Sequence, residues 1–288
     1  MRWHYLEGEA DAPGPDDRGF AYGDGLFETI AVRDGRPRLL EHHLERLRLG
    51  ADRLALCLPA RQRIEAFVAR VVGGIPAEDG RAVLKLVATR GDGERGYAYR
   101  HSDARLLAGI GPAGVWPRER RERGVAVRWC RTRLGRNPAL AGLKHLDRLE
   151  QVLARAERDD QDRADNRADN RADDVAEGLM LDGDGRVVCA TMSNLFLVRG
   201  ERLITPAITH AGVAGIMRGR VLELADRLGL ETTVRDVQPP EVMAADELFL
   251  TNSQYVLWPV ARLGTREWTP GPLSARIAAA LEAAGLTE

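Results

Sequence analysis

Short runs with strand-like spacing alternate with longer runs of helical spacing along most of this chain. That interleaving limits what it can fold into more than any other feature. Residues 26–32 (LFETIAV), 82–88 (AVLKLVA) and 106–110 read as strands, and Asp34-Gly35 marks a hairpin turn. Gly23-Asp24-Gly25 just before the first strand is a further turn signal. Leu44, Leu47, Leu54 and Leu56 lie along an amphipathic helical run that also carries Arg46, and residues 61–72 form a second. The later part continues the pattern. Strands are expected at 125–129, 202–205 and 247–251, with a hairpin over 177–196. Met217, Val221, Leu224 and Leu228 give one face to a helix after the Gly-rich residues 212–216, and residues 273–286 form a terminal helix. The expectation is an α/β chain of the α+β type in two domains. A small α/β domain covers 1–110, a Gly- and Pro-interrupted linker covers 111–118, and a larger domain covers 119–288.

One segment stands outside this pattern. Residues 159–174 (DDQDRADNRADNRADD) are a four-residue repeat whose only apolar members are alanines, so they cannot pack a core. They read as an insertion without a catalytic role, either a solvated continuation of the preceding helix or a surface loop. Elsewhere the chain has ample material for a core, with 288 residues of ordinary apolar and charged content. A net charge of −1 argues against a general affinity for nucleic acid. No run approaches the ~18 apolar residues of a membrane span, and the first ten residues hold no secretory core. Cys57, Cys130 and Cys189 are odd in number and lack metal-ligand spacing, which fits reduced thiols in a cytoplasmic protein without a metal site.

The stretch with most chemical promise is 135–153 (GRNPALAGLKHLDRLEQVL). An Asn-Pro loop leads to Lys144, and Leu146, Leu149, Val152 and Leu153 follow with the spacing of one helical face. Together with GDGLFET at 23–29, HLERL at 43–47, RGY at 95–97, SNLF at 193–196 and AGVAGIMR at 211–218, this string resembles the fold-type IV pyridoxal phosphate enzymes. The string at 134–152 is similar to the aminodeoxychorismate lyases of that family rather than to its branched-chain or D-amino acid aminotransferases.

The resemblance implies a homodimer with pyridoxal 5'-phosphate in the cleft between two domains. Lys144 matches the lysine that holds the cofactor covalently. Arg46, the Gly215-Ile216 backbone and Ser253 with its neighbour Asn252 match phosphate contacts, a donor set that suits a dianion. Arg95 and Tyr97 match the substrate-facing motif, and Thr29 matches a position able to relay a proton. The implied reaction is conversion of a small molecule, 4-amino-4-deoxychorismate, to 4-aminobenzoate and pyruvate.

The chain departs from the family at one position. Where the family carries a glutamate for the pyridine nitrogen, this chain has Cys189. Three readings follow. The enzyme works with a weaker electron sink, Cys189 is a thiolate, or the protein binds the cofactor with impaired catalysis. A fold-type IV aminotransferase is the alternative activity.

Overall fold

The computed structural model describes residues 1–8, 12–74, 80–99, 103–164 and 175–287. The described chain is α+β and divides into two compact units, Met1–Val115 with Leu143–Asp147, and Trp116–Gly142 with Arg148–Glu288.

The first unit is built on a five-stranded sheet. Its elements are β1 (Arg2–Tyr5), α1 (Arg18–Tyr22), β2 (Gly25–Arg33), β3 (Arg36–Pro37), α2 (Leu40–Leu54), α3 (Arg61–Gly73), β4 (Arg81–Thr89) and β5 (Arg105–Pro112). The strand order is β1-β5-β4-β2-β3, with every pairing antiparallel. Alternation along β2 buries Leu26, Glu28, Ile30 and Val32. Helix α2 answers with His43, Leu44, Leu47, Gly50 and Ala51, a three- and four-residue stripe. Gly111 and Pro112 pair with Val83 and Ala82, so the start of the expected linker is the end of β5.

The second unit holds α4 (Glu119–Glu122), β6 (Val125–Leu134), α5 (Leu149–Ala164), β7 (Val175–Asp182), β8 (Val187–Ala190), β9 (Asn194–Arg199), β10 (Arg202–Pro206) and α6 (Ile216–Arg227). It continues with β11 (Glu231–Arg235), α7 (Pro239–Met243), β12 (Glu247–Asn252), β13 (Val256–Leu263), β14 (Arg266–Glu267) and α8 (Pro272–Ala283). The nine-stranded sheet is mixed, with order β11-β10-β9-β12-β13-β6-β7-β8 and β14 on β13. Its core gathers Leu179, Leu195, Leu250, Trp258 and their neighbours, all buried.

Two sequence expectations change here. Helix α5 begins at Leu149, so Leu146 precedes it. Leu149, Val152 and Leu153 are 70%, 60% and 58% exposed, so the apolar stripe is not a core face of this chain. What anchors α5 is Glu157, whose buried carboxylate accepts from the backbone N–H groups of Arg131 and Thr132 on β6. Side-chain capture of strand N–H groups has no apolar periodicity, which is why the spacing pointed elsewhere. The helix runs to Ala164, so the repeat begins as helix, while residues 165–174 lie outside those described. Among the described residues, no helix is long and apolar enough to cross a membrane.

Candidate active site

Lys144 lies in the Leu143–Asp147 segment, which belongs to the first unit rather than to the larger domain where the sequence placed it. Its backbone is pinned to the start of β2. Phe27 N donates to Lys144 O at 2.9 Å, and Leu146 N donates to Gly25 O at 3.0 Å. This close approach explains the G-D-G motif. A Cβ on Gly25 would come 2.4 Å from Ala88 O and 2.8 Å from Leu146 Cδ1, and Gly23 has φ +69° where it caps α1. The Lys144 ammonium lies 4.3 Å from the Phe27 ring centroid, and Lys85 Nζ lies 5.1 Å from the same centroid. Lys85 pairs across the strands with Thr29, which puts both on the Phe27 side of the sheet. Sequence reading passed over Lys85; the cross-strand register with Thr29 is the signal that reveals it.

Arg46 on α2 reaches Glu28, which alternates with Phe27 and Thr29 along β2, and the charge of Lys144 acts on His43 in the same cluster. Arg46 Nε donates to Glu28 Oε1 at 2.8 Å and its Nη2 to Oε2, while His43 Nδ1 lies 2.6 Å from Oε2. Burial works against ionisation of Glu28, but Arg46 and His43 outweigh it and hold the carboxyl down at about 2. Burial pushes the His43 imidazole below its ordinary value, only partly offset by Glu28. Arg46 is therefore held by a buried carboxylate that the sequence reading did not single out. The missed signal is that Glu28 shares its strand face with Leu26 and Ile30.

The RGY loop is exposed at both predicted side chains. Arg95 is open to solvent and Tyr97 is 84% exposed, with its ring 5.6 Å from that of Tyr22.

In the second unit, α6 starts at Gly215 with no side chain capping its first N–H groups. A Cβ on Gly215 would lie 2.0 Å from Asn194 Oδ1, so any side chain there must displace the Asn194 amide. Asn194 Nδ2 donates to Val213 O at 3.0 Å and holds the approach to the helix. Ile216 follows as the first helical residue, its N–H at the positive end of the dipole. Asn252 spends its Oδ1 on a tight turn, accepting from Gln254 N at 2.8 Å and Tyr255 N at 3.1 Å, with half-exposed Ser253 at the turn's apex. Thr251, absent from the sequence candidates, carries a buried Oγ1 that finds no hydrogen-bond partner among the described residues.

Cys189 is buried on β8 opposite Met180. Burial and the charge of Glu177 push its thiol up to about 12, which favours the neutral thiol over a thiolate. Glu177 itself is fully buried. It accepts from Met192 N at 2.9 Å, from Tyr255 OH at 2.8 Å and from the hydroxyls of Thr191 and Ser193.

Residues 25–263 match the model of the amino-transferase class IV family. The chain belongs to that family. It is 43% identical to 4-amino-4-deoxychorismate lyase from Pseudomonas aeruginosa, whose crystal structure superposes with a TM-score of 0.85 over 98% of each chain. It is 33% identical to aminodeoxychorismate lyase of Vibrio harveyi over 87% of each chain. A putative branched-chain-amino-acid aminotransferase of Methanocaldococcus jannaschii is 31% identical over 87% of this chain and 82% of its own. Class IV enzymes of this kind depend on pyridoxal phosphate. Features of each unit, taken by itself, fit that group: a lysine amine in the first, and in the second a helix N-terminus beside a glycine packed on Asn194, with a buried Thr251 hydroxyl that has no hydrogen-bond partner among the described residues.

Proposed function

We propose that this protein converts 4-amino-4-deoxychorismate to 4-aminobenzoate and pyruvate for folate synthesis, as a cytoplasmic homodimer. The observation that carries this reading is Lys144, pinned by its backbone to the G-D-G strand, with Lys85 and Thr29 on the same side of the sheet. The 43% identity to a lyase over nearly the whole chain supports the choice of substrate.

Pyridoxal phosphate supplies, when bound, an electron sink conjugated to the substrate's amine. In this reading Lys144 holds the cofactor, and the Gly215-Ile216 backbone, Arg46, Asn252 and Ser253 hold its phosphate. The Lys144 amine takes the proton from the amine-bearing ring carbon. The ring carbon–oxygen bond then breaks and the ring becomes aromatic. The departing enolpyruvate takes a proton on its methylene carbon, with Thr29 placed to relay it, and leaves as pyruvate. Arg95 and Tyr97 bind the substrate's carboxylate side. A neutral Cys189 gives the pyridine nitrogen no carboxylate, and this weighs against transamination. Aromatisation supplies driving force that amino-group transfer lacks.

The test is pyruvate release from aminodeoxychorismate by protein reconstituted with the cofactor. Lys144→Ala is expected to lose the yellow colour and to slow release by on the order of 10³-fold. Absence of pyruvate from the wild type overturns the reading. Stoichiometric conversion to the pyridoxamine form on adding amino acids would establish the aminotransferase instead.

A further inference from the structure

The RGY loop reaches solvent, yet its backbone is gripped from beneath by one buried side chain. Arg18, 5% exposed on α1, donates from Nη1 to Gly96 O at 3.0 Å and Ala98 O at 3.2 Å. Its Nη2 donates to Tyr97 O at 3.2 Å. Three consecutive carbonyls thus converge on one guanidinium, whose planar fork has five N–H donors where an ammonium has three. The remaining Nε donates to Asp24 Oδ2 at 3.0 Å.

Asp24, the acid of the G-D-G motif, also receives Arg90, Nε to Oδ2 at 2.8 Å and Nη2 to Oδ1 at 3.1 Å. Arg90 is anchored in turn on the carbonyls of Leu54 and Ala55 at the end of α2. Burial opposes ionisation of Asp24, but the two arginines outweigh it and hold its carboxyl below the usual range. Tyr22 completes the support. Its hydroxyl accepts from Gly96 N at 3.2 Å, and the Arg18 guanidinium carbon lies 5.0 Å from its ring centroid.

We propose that Arg18, oriented by Asp24, is the positioning residue that sets the Arg95–Tyr97 loop for substrate. The inference rests on the reading of Arg95 and Tyr97 as substrate contacts. The geometry places a fixed platform under side chains that point outward, so that loop order is built before substrate arrives. Asp24 carries two tasks at once: its turn holds the Lys144 segment through Gly25, and its carboxylate holds the loop through Arg18.

Arg18→Lys tests this, because it keeps the charge but has three donors, too few to hold Asp24 and all three carbonyls together. KM for aminodeoxychorismate is expected to rise about tenfold with kcat within about twofold, the cofactor absorbance unchanged, and tryptic cleavage after Arg95 accelerated. Asp24→Asn is expected to move KM and cleavage the same way. Unchanged cleavage and unchanged KM in Arg18→Lys overturn the clamp and leave the substrate reading of the loop intact. Accelerated cleavage with unchanged KM retires the substrate role of Arg95 and Tyr97, and the proposal with it.

Discussion

Glu28 shows how one residue ties stability to the site. Its carboxyl titrates at about 2 when folded against 4.5 ordinarily, so the unfolded chain takes up a proton more readily as pH falls. The stabilisation from Glu28 is full above about 4.5 and is lost as pH drops toward 2. His43 acts in the same direction at higher pH, because its folded pKa lies below 6.5 and the unfolded chain gains a proton first. Stability should therefore fall from about pH 6.5 downward and fall faster below about 4.5. Glu28→Gln leaves Arg46 without its carboxylate and is expected to cost about 3 kcal/mol at pH 7. Urea denaturation across pH checks both, since the variant should lose the lower-pH slope and keep the upper one. Neither effect follows from strand propensity, which ranks Glu as a poor choice in β2.

At the scale of elements, α6 and the turn after β12 show what a glycine and an asparagine do. Gly215 has φ −68°, so its backbone is open to any residue; it is the Asn194 amide that a side chain would meet. Gly215→Ala must push the Asn194 amide aside and disturb the chain that presents the first N–H groups of α6. Its cofactor dissociation constant, followed by absorbance titration, is expected to rise about tenfold or more, while the far-ultraviolet dichroism stays as in wild type. An unchanged constant would remove α6 from the phosphate site. The Asn252 turn ends in Val256 at φ +70°, a strained conformation for a β-branched residue. Tyr255 beside it is tied to Glu177 and Ser193 and stacks on Trp258 at 3.6 Å, contacts that hold the strain in place.

For the whole molecule, the exposed stripe on α5 bears on assembly. Leu149, Val152 and Leu153 present three apolar side chains to solvent on one chain, with Met192 exposed in the same unit. Burying each is worth roughly 1.5–3 kcal/mol, enough for this stripe to contribute substantially to the proposed homodimer. Replacing all three with Ser is expected to shift light-scattering mass from dimer to monomer without loss of helix. A variant that stays dimeric would place the interface elsewhere.

Much was legible from residue order alone. The period-two and period-3.6 runs marked most strands and helices, because side-chain periodicity is local and set by burial. The motifs around Lys144, Arg46 and Gly215 pointed to the family, and the low apolar content of the repeat set it apart from the core. Tertiary structure alone decided which unit Lys144 joins, since that depends on hydrogen bonds to β2 more than a hundred positions earlier in the chain. It decided that Arg46 answers to Glu28, that burial and Glu177 raise the Cys189 thiol, and that Arg18 holds three carbonyls far away in sequence. It also turned the leucines of α5 outward. Each of these is a pairing between distant groups, and a buried charge takes its value from the partners that surround it.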